Sequence, residues 1–365
     1  MKQFLLVEPV AKTPYPPLGL LKISSMLKAK YPGCSVFSQV GKETPENLVH
    51  PESIYVTSLF TWDFNKLVDV TNYLKWKHPQ SEINIGGIAA SLLPEETFAK
   101  TGITPHIGLH EEAECCVPDY TLDFSRKVRS SISFTTRGCI RKCKFCTVTT
   151  LEPDFYIKND WENDISHDLP TITFWDNNWL ASPNVLSDCK KLSKIGKKVD
   201  FNQGLDARLY TKKIATALSK VNIDPLRFAF DDISQENAIV SAIRLAKKMT
   251  NKEIAVYVLY NFKDSPEEFY YKINLLNQEQ VLSFPMCYRE PSSLNKIFPN
   301  EFWNTYILRG LKLSLLFYYR RGMITESRRS FENIYGHNYN DFITKLYDIY
   351  EYDKNLRKKV PDNVN

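Results

Sequence analysis

Short apolar runs alternate along the first third of the chain with longer segments whose apolar residues recur every three or four positions. The short runs are typical of buried strands, and the longer ones have the spacing of amphipathic helices. The segments, in order, are "QFLLVEP", "GLLKISSMLKAKYPG", "SIYVTSLF", "FNKLVDVTNYLKWKHP" and "EINIGGIAASLLPEE". This alternation predicts a Rossmann-like, parallel, doubly wound sheet over residues 1–122, with "PHIGLHEEAE" as a further strand edge and loop.

A second series of strand and helix patterns follows the irregular, charged linker "CCVPDYTLDFSRKVRS". Six strand–helix units in residues 123–298 predict a partial (β/α)6 barrel. The last segment, residues 299–365, has only helical, aromatic-rich patterns and predicts a C-terminal helical extension. The six strand candidates are Ser131–Thr135, Thr171–Trp175, Val199–Gln203, Leu226–Phe230, Ile254–Tyr260 and Val281–Pro285. The fold class is therefore α/β in two parts with an added helical segment.

Composition narrows the class of protein only modestly. Hydrophobic residues make up 43% and charged residues 24% of the 365 positions, as in an ordinary globular protein. The net charge of +5 permits an acidic partner without demanding one. No apolar stretch approaches the ~20 residues of a membrane-spanning helix, and the start does not have the pattern of a signal peptide. We therefore expect a cytoplasmic protein with no membrane partner.

Three cysteines are crowded into "CIRKCKFC", at Cys139, Cys143 and Cys146. Thiolates are soft ligands that suit iron–sulfur clusters, zinc or copper. A structural zinc site needs a fourth ligand, and the nearest histidines, His110 and His167, are distant in sequence. Three ligands on a four-iron cubane would leave one iron open to a substrate or cofactor. The spacing thus favours a cluster, with a zinc-binding or structural-cluster interaction protein as the alternative.

Cations surround these cysteines, and the motif follows a predicted strand. We expect the cations Arg137, Arg141, Lys142 and Lys144 to lower the pKa values of the thiols and to offset the charge of a cluster. A loop after the first barrel strand lies on the face where barrel active sites are built. The other five cysteines are expected to be small buried hydrophobes: Cys34, Cys115, Cys116, Cys189 and Cys287.

The spacing C-x3-C-x2-C, with an aromatic residue just before the last cysteine, resembles the signature of the radical S-adenosylmethionine (SAM) enzymes. In that family the three cysteines hold a 4Fe–4S cluster, and SAM chelates its open iron. Reductive cleavage of SAM then gives a 5′-deoxyadenosyl radical, which abstracts hydrogen from a substrate. The resemblance implies that Cys139, Cys143 and Cys146 are the metal ligands and that Phe145 lies near the adenine. It also implies a reducing electron donor such as flavodoxin or ferredoxin.

The later strand ends resemble the family's SAM-binding positions more loosely. In "TITFWDNNWL" the resemblance places Asp176 and Asn177 where the family binds the SAM amino group, although the family's Gly-Gly-Glu is absent. A turn role is the alternative for Asp176. In "VDFNQGLDARL" it implies that Gln203 and Arg208 bind SAM, with Arg208 on the carboxylate. Pairing of Arg208 with Asp206 is the alternative.

The fourth and fifth strands of the predicted barrel end in further polar residues. In "RFAFDDIS" Asp231 resembles the position that binds ribose hydroxyls, and in "YVLYNFKDSPEE" Asn261 resembles a residue near the adenosyl group. A helix cap formed by Asp231 and Asp232 is the alternative, because "DDISQEN" opens a helix.

The N-terminal segment resembles the Rossmann-like domain of the cobalamin-binding class of radical SAM enzymes. That class binds cobalamin through an Asp-x-His-x-x-Gly motif, which this sequence lacks. None of the four histidines ahead of the barrel has that context: His50, His78, His106 and His110. We therefore expect a degenerate domain that covers the barrel mouth or holds substrate, with cobalamin binding and cobalamin-dependent methylation as the alternative.

The sequence does not name the substrate. A small molecule is favoured. Arginines and tyrosines interleave in "LLFYYRRGMITESRRSF", a composition that can stack bases and neutralise phosphates. An amphipathic helix docked on the barrel has the same composition, so a nucleotide- or nucleic-acid-modifying enzyme is an alternative. The residues concerned are Tyr318, Tyr319, Arg320, Arg321, Arg328 and Arg329.

Overall fold

The structure is a computed structural model that describes residues 1–292, 294, 300–319 and 322–359. Its contacts divide the chain into two compact units. The first is Met1–Asn177 with a short segment that begins at Glu290, and the second is Asn178–Arg289 with the chain from residue 300 onward. The predicted domain boundary after residue 122 stays a prediction, and the one after residue 298 lies outside the described residues.

The first unit begins with a four-stranded sheet in which all neighbours are parallel, in the order β2-β1-β3-β4. Three of its strands are those predicted from the sequence. The strands are β1 (Gln3–Glu8), β2 (Ser35–Val40), β3 (Ser53–Thr57) and β4 (Glu82–Gly86). The helices of this part are α1 (Leu18–Lys30), α2 (Phe64–Lys77), α3 (Ile88–Leu92), α4 (Pro94–Thr101) and α5 (Glu111–Glu114). The parallel, doubly wound prediction is confirmed for this sheet.

Strand β1 is buried on both faces, which explains its unbroken apolar run. Phe4 and Leu6 belong to one core cluster together with Leu21 of α1. Leu5 and Val7, which point to the other face, belong to a second cluster together with Leu67 of α2. Helices on both faces of a parallel sheet require this continuous apolar pattern, because alternate residues point to opposite sides.

The segment "PHIGLHEEAE" contains no strand, so the prediction of a strand edge there is wrong. Gly108 adopts a left-handed conformation (φ +76°) that turns the backbone. The Nδ1 atom of His110 then accepts a hydrogen bond from Ala113 N (3.4 Å), which caps α5. Three glutamates in this short helix suit the positive end of its dipole.

The remainder of the first unit contains short elements around the cysteine motif. Strand β5 (Ser130–Ser133) pairs in parallel with β8 (Thr171–Phe174). The two-residue strands β6 (Thr136–Arg137) and β7 (Tyr156–Ile157) pair antiparallel. The helix α6 (Val148–Leu151) follows the cysteines. The sequence did not predict β6 and β7, whereas β5 and β8 confirm two of the six strand candidates.

The second unit contains a parallel sheet in the order β10-β11-β12. Single parallel bridges, Val199 with Ile223 and Leu205 with Phe228, lie beside it. The four remaining strand candidates are confirmed, as β9 (Lys198–Phe201), β10 (Leu226–Phe230), β11 (Ile254–Tyr260) and β12 (Leu282–Cys287). Helices of this part are α7 (Val185–Ile195), α8 (Lys212–Leu218), α9 (Glu236–Met249) and α10 (Pro266–Gln278).

Helical spacing in the sequence corresponds to buried faces in this unit. Helix α9 buries Ile239, Ala242, Ile243 and Ala246, which lie on one face at helical spacing. The final helices are α11 (Thr305–Tyr318), α12 (Arg328–Tyr335) and α13 (Tyr339–Lys359). They confirm that the end of the chain is helical. No helix within the described ranges is both long and apolar enough to span a membrane.

Candidate functional site

Three thiols lie on one loop of the first unit. The loop follows β6 and carries Cys139, Cys143 and Cys146 before α6 begins. All three are half-buried thiols. The backbone N–H of Cys146 donates to Cys143 O (3.1 Å), and that of Arg141 donates to Cys139 Sγ (3.3 Å). The loop therefore presents a soft donor set that is partly shielded from solvent, which fits an iron–sulfur cluster.

Within the described ranges, no three His, Cys, Asp or Glu side chains are gathered as the ligands of a single metal ion. A four-iron cubane is held differently, because each thiolate binds a separate iron at its own corner. Three thiols on one loop therefore fit a cluster without having to meet at one point.

Arg137 is buried and comes two residues before Cys139, and the expectation that its charge serves the thiols stays a prediction. Its guanidinium Nε lies 3.2 Å from Glu114 Oε1, and its Nη1 lies 3.3 Å from Glu152 Oε1. The guanidinium also stacks over the ring of Phe134, 3.8 Å from the ring centre. Two carboxylates thus balance the charge of Arg137, while Lys142 and Lys144 are exposed on the loop.

Glu152 connects this ion pair to the cysteine loop. Its Oε2 atom accepts hydrogen bonds from Gly138 N (2.8 Å) and from Asn177 Nδ2 (3.1 Å). The structure therefore brings Asn177, which the sequence singled out for SAM, to the residue directly before Cys139. Glu152 itself was not predicted as a site residue.

Asp176 is buried at the end of β8 and reaches the same segment. Its Oδ1 accepts from the backbone N–H of Thr135 (2.9 Å) and Thr136 (2.6 Å) and from both hydroxyls (2.6 and 2.8 Å). Burial raises the pKa of Asp176 to about 6, although these hydrogen bonds oppose the rise. The carboxylate thus ties β8 to the cysteine loop, and binding of the SAM amino group by Asp176 stays a prediction. Phe145 is half-buried within the loop, and its contact with adenine also stays a prediction.

Two of the predicted SAM ligands follow β9 in the second unit. Gln203 is exposed. Arg208 donates from Nε and Nη2 to the two oxygens of Asp206, at 2.7 and 3.1 Å, and Asn178 Nδ2 donates to the same carboxylate at 3.2 Å. The structure therefore has the Asp206–Arg208 pair that the sequence offered as the alternative. A SAM carboxylate would have to compete with Asp206 for the guanidinium.

Asp231 lies at the end of β10, next to a buried lysine. Lys272 is 1% exposed, and its Nζ donates to Leu259 O (2.6 Å) and to the backbone oxygen of Asp231 (3.4 Å). Burial raises the pKa of Asp231 to about 6, against the opposing effects of Lys272 and Arg208. The neighbouring Asp232 caps the following turn by accepting from Ser234 N (2.9 Å), so the capping alternative holds for Asp232.

We expect Asp231→Asn to remove a pH-dependent loss of stability. Between about pH 4 and about pH 6 the unfolded carboxyl ionises while the folded one stays protonated, so wild-type stability falls as pH rises. Urea unfolding at pH 4 to 7 should show the wild type losing about 2–3 kcal/mol relative to the variant. Asp232→Asn is the matched control. Hydrogen bonds from Ser234 lower the pKa of Asp232, so its contribution rises with pH. Equal pH profiles for wild type and Asp231→Asn would contradict the assignment.

Asn261, after β11, has a structural role in the second unit. It is 2% exposed and adopts a left-handed backbone conformation (φ +64°). Its Oδ1 accepts from Asn300 N (3.0 Å), and its Nδ2 donates to Tyr288 O (3.5 Å). Proximity of Asn261 to an adenosyl group stays a prediction.

The arginine–tyrosine stretch is partly engaged within the second unit. Arg328 donates to Glu332 Oε1 and to Asn274 Oδ1, both at 2.6 Å. Tyr319 is buried, whereas Tyr318 and Arg329 are exposed. Arg320 and Arg321 lie outside the described residues. In the described part of this stretch, some side chains therefore make contacts within the protein and others are exposed to solvent.

The fold is similar to that of TsrM from Kitasatospora setae, a radical SAM methyltransferase. Two solved structures of TsrM are among those that share it. One, with cobalamin and a [4Fe–4S] cluster bound, has a TM-score of 0.63 at 11% identity over 79% of this chain and 75% of that chain. The other, with tryptophan and a SAM analogue bound, has a TM-score of 0.63 at 12% identity over 79% of this chain and 73% of that chain. No protein-family model matches the sequence, and no curated protein matches it.

Proposed function

We propose that this protein is a radical SAM enzyme. It reductively cleaves SAM at a 4Fe–4S cluster held by Cys139, Cys143 and Cys146 and abstracts hydrogen from its substrate. The observation that carries the proposal is the loop of three half-buried thiols in a chain that has the fold of a radical SAM methyltransferase. In this proposal residues 1–122 are the Rossmann-like domain, residues 123–298 the partial barrel and residues 299–365 the helical extension.

The residues of the chain have distinct parts in this function. The three thiolates hold the cluster, which supplies one electron to SAM when it has been reduced by a flavodoxin or ferredoxin. Phe145 lines the adenine side of the loop. Asn177 offers its amide group to the polar end of SAM, because an amide both donates and accepts. The alternative zinc protein would need a fourth ligand beside the three thiolates.

Anaerobic reconstitution with iron and sulfide tests the proposal. We expect a brown protein with about four irons per chain that, once reduced by dithionite, converts SAM to methionine and 5′-deoxyadenosine. Chromatography of the products and iron analysis measure this. A colourless protein that carries one zinc after the same treatment, and leaves SAM intact, would contradict it and support the zinc-binding interaction protein.

Methylation with cobalamin is the second candidate, and the fold favours it. Residues 123–365 make up about two thirds of the chain, so a structural match over 79% of the chain also includes part of residues 1–122. The solved structure of TsrM holds cobalamin. In this chain the ring of His106 contacts Leu109 O (3.0 Å) and His110 caps α5, so both side chains already have local partners. We therefore propose that neither His106 nor His110 would be a ligand of a cobalamin bound here.

The products separate the two candidates. Methyl transfer leaves S-adenosylhomocysteine, whereas hydrogen abstraction leaves 5′-deoxyadenosine. Protein produced in medium with added cobalamin should carry its visible absorption only if the methylase candidate is correct. A small-molecule substrate is favoured, because the other TsrM structure holds tryptophan.

A further inference from the structure

The segment Thr135–Gly138, which connects β5 to Cys139, is held by carboxylates in an unusual way. The backbone N–H groups of Thr135 and Thr136 donate to Asp176, and that of Gly138 donates to Glu152. Backbone N–H groups in folded proteins usually donate to carbonyl oxygens. Here two negatively charged side chains bind three of the four N–H groups that lead into the cysteine loop.

Both carboxylates are shielded from water, which strengthens their hold. Asp176 is 2% exposed, and the side chain of Glu152 is 16% exposed. A charge-assisted hydrogen bond is stronger than a neutral one, and a low local dielectric strengthens it further. On the carbonyl side of the segment, Lys158 N donates to Thr135 O (2.8 Å). The backbone before Cys139 is thus fixed from both sides.

The contacts continue from Glu152 to helix α1. Glu152 pairs with Arg137, Arg137 pairs with Glu114, and Glu114 Oε2 lies 3.2 Å from Nζ of Lys22 in α1. Lys22 is 2% exposed and also donates to Glu114 O (3.0 Å). Four side chains of alternating charge therefore join α1 to the residue before the first cysteine.

We propose that Glu152 and Asp176 are positioning residues that hold the cysteine loop in its ligand-binding conformation before iron arrives. The inference rests on the proposed function, which supplies the cluster that the loop would bind. A loop without fixed ends would lose conformational entropy when it binds a cluster. Preorganisation removes that cost from the binding step.

Limited trypsin digestion of the metal-free protein tests the loop directly. Lys142 and Lys144 are exposed on it, and mass spectrometry can follow cleavage after each. We expect Glu152→Gln and Asp176→Asn to speed this cleavage about tenfold, the factor that corresponds to losing one charge-assisted hydrogen bond. Asp154→Asn is the matched control, because it removes an exposed carboxylate from the same stretch and should leave the rate unchanged. Cleavage after Lys248, exposed on α9, reports on global unfolding.

The reconstituted proteins supply a second readout. Both carboxylate variants should take up iron more slowly than the wild type and give a broadened electron paramagnetic resonance spectrum after reduction, because their thiolates no longer have one geometry. Wild-type cleavage at Lys142 and Lys144 together with a wild-type spectrum would overturn the proposal. A wild-type protein that binds no cluster would instead defeat the proposed function, and the digestion would still decide whether the carboxylates hold the loop.

A milder variant decides the case in which both carboxylate variants also unfold globally. Thr135→Val removes only the hydroxyl that donates to Asp176 Oδ1 (2.6 Å) and keeps the backbone N–H. We expect faster cleavage at Lys142 and Lys144 with no change at Lys248. An unchanged rate at the loop in this variant would overturn the proposal.

Discussion

Replacement of any one of Cys139, Cys143 and Cys146 by alanine is expected to abolish assembly of the 4Fe–4S cluster. Each thiolate binds its own iron, so the loss of one leaves a second iron without a protein ligand and open to solvent. The open iron that SAM would chelate is then no longer unique. Iron and sulfide analysis after anaerobic reconstitution should fall from about four irons per chain to near zero, and SAM cleavage should disappear with it.

Cys189→Ala and Cys287→Ala are the controls for this result. Burial raises the pKa of the Cys189 thiol to about 12 and also raises the pKa of the Cys287 thiol. Both therefore stay protonated, whereas a metal ligand must be a thiolate. These variants should retain the iron content of the wild type. Loss of iron in Cys287→Ala would show that a different ligand set holds the cluster.

The second large effect is expected from Gly138→Ala. Gly138 has a left-handed backbone (φ +69°), and a Cβ atom there would lie 2.2 Å from the backbone oxygen of Asp154. Because a backbone atom cannot swing aside as a side chain does, the loop has to move and the hydrogen bond to Glu152 breaks. We expect a loss of about 3 kcal/mol or more in the unfolding free energy, from strain, overlap and the lost hydrogen bond. Urea unfolding of the metal-free protein measures this, and reconstitution should show little bound iron.

Gly196→Ala separates the effect of backbone strain from the effect of steric overlap at the added Cβ atom. Gly196 has a similar left-handed backbone (φ +71°), but no atom lies within 4 Å of the position of its Cβ. This variant should lose only about 1–2 kcal/mol and retain the cluster. Equal losses in the two variants, with iron content intact in both, would contradict the role given to the close contact at Gly138.

The strands and helices could be predicted where burial imposes a strong pattern. The bounds of β10 and β11 agree with the prediction residue for residue, since both are apolar runs in a parallel sheet. Strand β2 was missed because "SVFSQV" is an edge strand in which only Gln39 is fully buried. Its polar residues gave no continuous apolar signal. Strands β6 and β7 have two residues each, too few for any periodicity.

Residues of the candidate site could be predicted only where they lie close together along the chain. The three cysteines lie within eight positions, so the sequence alone assigns them to one loop. Glu114 and Glu152 had no such signal, because their partners Lys22, Arg137 and Asn177 lie 15 to 92 positions away. These pairs form only in the folded protein, and a single sequence does not show which of its glutamates will form them.

Polar residues at strand ends were found, but their partners were not. The sequence placed Asp176 beside a cofactor, whereas its carboxylate accepts hydrogen bonds from Thr135 and Thr136, about forty residues earlier. For Arg208 the local alternative, Asp206, could be read from the sequence because the two are only two positions apart. Pairs of residues that are close in sequence can thus be proposed from the sequence. Whether a side chain binds a cofactor or a backbone N–H group far along the chain cannot.

Helices α11 and α13 meet backbone to backbone at Gly310. A Cβ atom at that position would lie 2.2 Å from Leu346 O, so no other residue fits while the last helix crosses there. The residue at position 310 should therefore indicate whether a relative of this protein has kept the crossing of these two helices. Relatives that keep the closing helix in this place should retain glycine at the corresponding position, and lineages that have lost or moved that helix are free to replace it.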